Sequence, residues 1–262
     1  QAEAGPAPAG RPVLVAVDHE GGPLFTQRTL GLTIFPGNMA LGAAGDPALA
    51  ESAAQASARE LAALGVHIDF APVLDVNSNP ANPIIGVRSF GEDPAAAGEL
   101  GAAAVRGYLR GGVFPVAKHF PGHGDTAVDS HTGLPSVERA SESWSKTELP
   151  PFARAIAAGV PMVMPAHIRA PGLGAGDEPV TLSTAVLTDL LRGELGFEGV
   201  IVSDSMDMGA ITQNYGAAEA AIRAFLAGCD ILLLGKTDFP PVYEAFLAAV
   251  RSGRIPQGRL QE

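Results

Sequence analysis

Val116–Pro135 reads VAKHFPGHGDTAVDSHTGLP. An apolar, strand-like run ends at Lys118-His119, and a loop rich in Gly, Asp, Ser and Thr follows. The loop carries His123, Asp125, Asp129 and His131, so three of the chain's six histidines fall within thirteen residues. A plain connection needs no such concentration, whereas loops held by a rigid scaffold are where catalytic groups sit. The fold then turns on whether other apolar runs end in the same way.

They do. Val13–Val17 precedes Asp18, His19 and Glu20; Val66–Leu74 ends at Asp75; Val113–Ala117 leads to Lys118-His119. Val160–Pro165 leads to His167, Val200–Ser203 to Asp204, and Ile231–Leu234 is the last such run. Helical stretches lie between them. Asp46-Pro47 and Asp93-Pro94 read as an N-cap with proline at the first helical position. The helices they open stop at Gly65 and near Gly111-Gly112, and glycine suits the left-handed C′ position. Further helices are expected at about 151–158, 217–227 and 241–252, and one after a Ser183 or Thr184 cap with Leu187, Leu190, Leu191 and Leu195 on one face. Continuous apolar runs alternating with helices mean a parallel sheet buried on both faces.

Ionisable residues at the carboxyl ends of many different strands converge in a (β/α)8 barrel. An open doubly wound sheet would place a Gly-rich phosphate loop at one switch point, and no G-x-G-x-x-G follows a strand. The expected fold is therefore α/β, a (β/α)8 TIM-type barrel. Only about six of its eight strands are legible, which suggests truncation at the N-terminus and at the C-terminal helix. Residues 1–10, QAEAGPAPAG, read as a linker or cut end, and 11–262 as a partial catalytic domain.

Composition narrows the function classes. The 262 residues suit one large domain, and 47 % are apolar. The net charge is −11 with no basic run, which argues against nucleic acid and anionic membranes as partners. No apolar run approaches the ~18 residues of a membrane span. The single cysteine, Cys229, excludes an internal disulfide framework. Composition leaves the compartment open.

Each candidate has a plain alternative. Asp204, in GVIVSDSMDM, could be a nucleophile, a metal ligand or an N-cap; Asp207 has the weaker claim. Asp129 and His131 share a face if the segment is extended, and a carboxylate bonded to a histidine fixes its tautomer and favours its protonated form. Lys118, His119 and Arg88 can donate to substrate oxygens, although Arg88 could instead pair with Glu92 or Asp93. Asp18 and Glu20 flank His19 before Gly21-Gly22, where turn chemistry is the alternative, more so for Glu20. Asp75 reads as loop support and His167 as a hydrogen-bonded strand-end histidine. A metal site built from His119, His123, Asp125, His131 and His167 is the rival, but Pro121 and Gly122 interrupt His119-x3-His123, so it is not a helical H-E-x-x-H pair. No metal and no cofactor are expected. Gly122, Gly124 and Gly133 are candidate hinges for the loop.

These residues resemble glycoside hydrolase family 3, and within it the bacterial β-N-acetylglucosaminidases. The likeness runs in order through VAVDHEGG, FPGNMALGA, IDFAPVLDVN, RSFGEDP, KHFPGHGDTAVDSH and VIVSDSMDM. KHFPGHG followed by D-S-H is its most specific part. The resemblance implies Asp204 as nucleophile, His131 as general acid/base and Asp129 as its partner. It implies that Asp18, Arg88, Lys118 and His119 hold the sugar that loses its leaving group. The expected activity is retaining, exo-acting hydrolysis of terminal β-linked N-acetylglucosamine from cell-wall or chitin-type oligosaccharides. Phosphorolysis, a β-glucosidase of the same family and a non-catalytic sugar-binding barrel are the alternatives, and a monomer is expected. The family often has arginines soon after the Gly-Gly pair; here Pro23 and Thr26 stand there, and Arg28 comes later.

Overall fold

The computed structural model describes residues 13–25 and 31–262. Thr26 and Arg28 lie outside the described residues. Among the described residues seven strands are formed: β1 (Ala16–Val17), β2 (His19–Gly21), β3 (Leu24–Phe25), β4 (Ile68–Asp69), β5 (Phe114–Phe120), β6 (Met162–Pro165) and β7 (Val200–Ile201). Five of them make one parallel sheet in the order β1-β4-β5-β6-β7. Register is fixed by Ala16↔Ile68, Ile68↔Phe114, Val116↔Met162 and Met162↔Val200. The sixth apolar run joins through a single parallel bridge, Val202↔Ile231. The strands are shorter than the apolar runs suggest. For example, the 66–74 run gives only Ile68–Asp69 and a bridge, Val73↔Lys118.

Two expectations are corrected. Residues 19–21 are strand β2, paired antiparallel with β3, where turn chemistry was the alternative reading. The segment after Thr184 is a π-helical stretch, Ala185–Glu194, and neither Ser183 nor Thr184 supplies a side-chain cap. Its first turn is instead closed by the main chain, with the Val186 and Leu187 amides donating to the Ser183 carbonyl.

Helices α1 (Asn38–Ala44), α2 (Pro47–Ala63), α3 (Pro94–Gly111), α4 (Ser141–Lys146) and α5 (Leu149–Ala157) flank the sheet. They are followed by α6 (Gly209–Thr212), α7 (Ala217–Ala227), α8 (Phe239–Arg251) and α9 (Gln257–Gln261). The two Asp-Pro starts form as read. Asp46 Oδ1 accepts from the Ala48 amide at 2.9 Å, and Asp93 Oδ1 from Ala96 at 2.8 Å. α2 and α3 pack closely because α3 is notched: a Cβ on Gly107 would sit 2.3 Å from the Glu51 carbonyl oxygen, inside contact distance.

The sheet is buried on both faces. Toward the helices, Ala117 and Phe120 of β5 join a core that includes Trp144, Phe152, Leu61, Leu187 and Leu191. Each large side chain buried there contributes about 1.5–3 kcal/mol. The other face is a separate cluster of Ile68, Phe70, Val116, Met162, Met164 and Val202, with Val200, Ile231 and Leu233 against it. Val116 and Ala117 point to opposite clusters, as the two-residue strand period requires. The Phe120 ring meets Phe152 of α5 edge to face at 5.2 Å. This pins the end of β5, from which the histidine-rich loop departs.

Candidate active site

The chemistry gathers at the carboxyl ends of the strands, around a cavity of roughly 1180 Å³. Asp18, Glu20, Arg88, Lys118, His119, His131 and Asp204 all line it. Six of the seven sequence-nominated residues therefore meet in one space. The seventh, Asp129, sits directly behind His131.

Glu20 is the centre of the polar wall, and the sequence reading undervalued it. Its carboxylate accepts from Arg88 Nε at 2.9 Å and Nη2 at 2.8 Å, and pairs with Lys118 Nζ at 2.7 Å. Lys118 also donates to Asp18 Oδ1 at 2.8 Å. Burial alone would raise the Glu20 carboxyl; the two cations overcome it and hold it at about 2. Arg88 thus pairs with Glu20 rather than with Glu92 or Asp93. Asp93 is already engaged as the α3 cap.

Asp75 is a second undervalued residue. Its buried carboxylate accepts the amides of His119 at 3.2 Å and His123 at 2.6 Å, and the His119 Nδ1–H at 2.7 Å. That contact fixes the His119 tautomer. Its Nε2 is left as an acceptor, 3.4 Å from Arg88 Nη2. Burial, with Arg88 and Lys118 nearby, drives the His119 pKa well below its ordinary value, so the ring is neutral. It can accept from a hydroxyl but carries no charge.

The loop after β5 is fitted between neighbours. A Cβ on Gly124 would lie 1.7 Å from the Val76 carbonyl oxygen, and one on Gly122 only 2.4 Å from Glu148 Cγ. These glycines serve close approach, which weakens the hinge reading for both. Further along, His123 Nε2 lies 3.1 Å from Ser130 Oγ. The Gly209 and Ala210 amides of α6 donate to the His131 and Ser130 carbonyls at 3.2 and 3.1 Å, and Gln213 Nε2 donates to the Thr132 carbonyl at 3.0 Å. His131 is therefore brought from the end of β5 to the end of β7, beside Asp204.

Asp129 Oδ1 accepts from the His131 amide at 2.9 Å and from its Nδ1–H at 2.7 Å. Partial burial would raise the Asp129 carboxyl, but these two donors bring it below its ordinary value. The His131 side chain is 59 % exposed, so Nε2 is accessible. Asp204 follows β7, and its Oδ1 accepts the Ser205 amide at 2.7 Å. It does not cap α6, whose N-cap is Met208. Burial raises its carboxyl, and its surroundings, the Ser205 amide and Lys118 among them, outweigh this and bring it below its ordinary value. It is ionised at neutral pH.

His167 lies under the same turn, with Nδ1 2.7 Å from Thr181 Oγ1 and Nε2 3.0 Å from the Ser205 carbonyl oxygen. Burial lowers its pKa. In the neutral ring Nε2–H donates to the Ser205 carbonyl, and the one Thr181 hydroxyl proton is shared between His167 Nδ1 and the Ala166 carbonyl oxygen, 3.1 Å away. Among the described residues no three His, Cys, Asp or Glu side chains are grouped to hold a metal ion.

This arrangement offers an ionised carboxylate, an accessible imidazole paired with a carboxylate, and a cationic polar wall in one cavity. The model for the glycosyl hydrolase family 3 N terminal domain matches residues 2–262. The chain belongs to glycosyl hydrolase family 3. Among its relatives, β-hexosaminidase A of Pseudoalteromonas piscicida is 44 % identical over 238 residues, which is 85 % of this chain and 40 % of that protein. The β-hexosaminidase of Chromobacterium violaceum is 39 % identical over 252 residues, 94 % of this chain and 69 % of that protein. The solved family 3 β-N-acetylglucosaminidase from Paenibacillus sp. str. FPU-7 superposes with a TM-score of 0.92 at 47 % identity, covering 96 % of this chain and 48 % of that one. The chain thus spans about half or less of the length of two of these three proteins.

Proposed function

We propose that this chain forms the catalytic domain of a retaining exo-β-N-acetylglucosaminidase. The observation that carries the reading is the shared cavity, in which the ionised Asp204, the Asp129–His131 pair and the Asp18–Glu20–Lys118–Arg88 wall meet. The names of its family 3 relatives support N-acetylhexosaminides as the substrate class. The parallel sheet is read as part of a (β/α)8 barrel. Support comes from the cluster on the non-helical face, which is built from residues of the strands and of the runs that directly follow them and is what a sheet curling on itself would enclose.

In the proposed mechanism Asp204 attacks the anomeric carbon. The glycosidic bond breaks through an oxocarbenium-like transition state as His131, protonated, donates from Nε2 to the departing oxygen. The Asp129 carboxylate holds Nδ1–H and stabilises the imidazolium. The neutral His131 then takes a proton from water at Nε2, the hydroxide oxygen bonds to the anomeric carbon, and the Asp204 ester breaks. This is double displacement with imidazole in the acid/base role. Lys118, Arg88, Asp18 and neutral His119 hold the sugar hydroxyls. Glu20 and Asp75 position those groups.

The test is turnover of an aryl β-N-acetylglucosaminide by the full-length protein and its Asp204→Ala and His131→Ala variants. Both are expected to lose turnover, with azide restoring Asp204→Ala through a glycosyl azide. Free sugar as product supports hydrolysis, and sugar 1-phosphate would move the reading to phosphorolysis. Turnover retained by Asp204→Ala overturns the assignment.

A further inference from the structure

The loop that carries His131 meets the scaffold at two feet. At the first, Gly122 packs against the Glu148 side chain, and Asn82 Nδ2 donates to the His123 carbonyl at 2.9 Å. At the second, the Arg169 amide donates to the Pro135 carbonyl at 2.8 Å, and the Val137 amide to the Arg169 carbonyl at 3.0 Å. Val137 is buried, whereas Val128, between the feet, is exposed.

One side chain ties the two feet together. Arg139, just past the second foot, places Nε 2.7 Å from Asp125 Oδ2, just past the first. Its Nη1 donates to Glu148 Oε1 at 3.0 Å. The Asp125–Arg139 pair thereby closes residues 126–138 into a ring, and Asp129 and His131 lie within it. Joining the ends of a loop removes conformations it would otherwise visit. Asp125, Arg139 and Glu148 are not among the described residues that line the cavity, so the proposed chemistry gives them no direct part.

The tie is built to hold. The Glu148 side chain is fully buried, and the Arg139 and Asp125 side chains are mostly covered, so salt screens the pairs less than it would on the surface. A guanidinium holds two carboxylates at once through its planar fork, which an ammonium does less well. Burial lifts the Glu148 carboxyl to about 7 against the pull of Arg139. Without Arg139, Glu148 takes up a proton rather than standing as an unpaired buried charge.

We propose that Arg139 is a positioning residue for His131: by tying Asp125 to the buried Glu148, it fixes the loop that presents the Asp129–His131 pair to the substrate. The inference rests on the acid/base reading of His131 above. The test compares kcat/KM for phenyl β-N-acetylglucosaminide, whose leaving group needs a proton, with that for the 2,4-dinitrophenyl glycoside, whose leaving group departs without one. It uses the full-length protein as wild type, Arg139→Met, Asp125→Ala, the double variant and His131→Ala. The phenyl-to-dinitrophenyl ratio is expected to fall about tenfold in each single variant, short of the roughly 10²-fold that a 1 Å misplacement can cost. It is expected to fall no further in the double variant, because Arg139 acts through Asp125. Asp125→Ala keeps the Arg139–Glu148 pair and decides the question by itself if Arg139→Met does not fold. Rates that drop equally on both substrates, an unchanged ratio, or single losses that multiply in the double variant overturn the positioning role and leave the glycosidase reading standing. A ratio unchanged in His131→Ala, or wild type inert on both substrates, overturns both.

Discussion

Glu20→Gln is the substitution whose cost can be worked most fully from the geometry. Glutamine keeps the shape and an acceptor but removes the charge that Lys118 and Arg88 share. Those cations are themselves buried, with side chains 3 % and 12 % exposed. Holding the Glu20 carboxyl at about 2 rather than 4.5 corresponds to about 3 kcal/mol of folding stability at neutral pH. Breaking a buried pair by removing one partner costs about 3–5 kcal/mol, which agrees. For a domain of this size that is a melting temperature lower by roughly 6–12 °C. The pH dependence follows from the direction of the shift. A depressed carboxyl stabilises the fold above its unfolded value of 4.5, and that contribution fades as pH falls toward about 2. Urea unfolding of wild type and Glu20→Gln at pH 7 and at pH 2.5 is the assay. The expected gap of about 3 kcal/mol at pH 7 should shrink substantially at the lower pH. Equal stabilities at pH 7, or a gap that ignores pH, would refute the view that Glu20 organises the wall.

Other perturbations read other parts of the account. Asp75→Ala leaves two amides and the His119 ring donor without their acceptor; at about 1–3 kcal/mol each, thermal unfolding should show a loss of about 3 kcal/mol or more, with Asp75→Asn milder because it keeps an acceptor. Burial lifts the Asp69 carboxyl to about 7, so the folded state takes up a proton and wild type loses stability as pH rises from about 4 to 7. Asp69→Asn, which retains an acceptor for the His19 amide, should be more stable than wild type at pH 8 and equal to it below pH 4; denaturant titrations that superpose at both ends would count against this. His131→Ala should lose about 10²–10⁴ in turnover of substrates with poor leaving groups, and much less with an activated glycosyl fluoride. Equal losses on the two substrates would remove His131 from the acid role.

The legible parts of this fold were those fixed by local chemistry. Asp46-Pro47 and Asp93-Pro94 cap helices because aspartate and proline do that wherever the backbone turns. Charged residues after apolar runs marked the strand ends, and Asp204, His131, Lys118, Arg88, His119 and Asp18 do share a cavity. What stayed hidden was non-local. Glu20 sits before Gly21-Gly22 and so resembled turn chemistry, but its partners are 68 residues away at Arg88 and nearly a hundred away at Lys118. Asp75 reads as loop support from the sequence, whereas its donors come from His119 and His123, more than forty residues on. The loop glycines suggested hinges because sequence reports backbone freedom but not the carbonyl of Val76 pressed against Gly124. Strand lengths were overestimated because an apolar run ends where burial ends, which is later than where strand pairing ends.

The central claim is that Asp204 is the nucleophile of a covalent, retaining mechanism. The most direct measurement is to incubate the full-length protein with 5-fluoro-β-N-acetylglucosaminyl fluoride, which slows breakdown of the glycosyl-enzyme, and map the labelled peptide by mass spectrometry. The account predicts one sugar adduct per chain, carried by Asp204 and absent from Asp204→Ala. An adduct on a different carboxylate, or an unlabelled protein that releases product with inverted configuration, would contradict it.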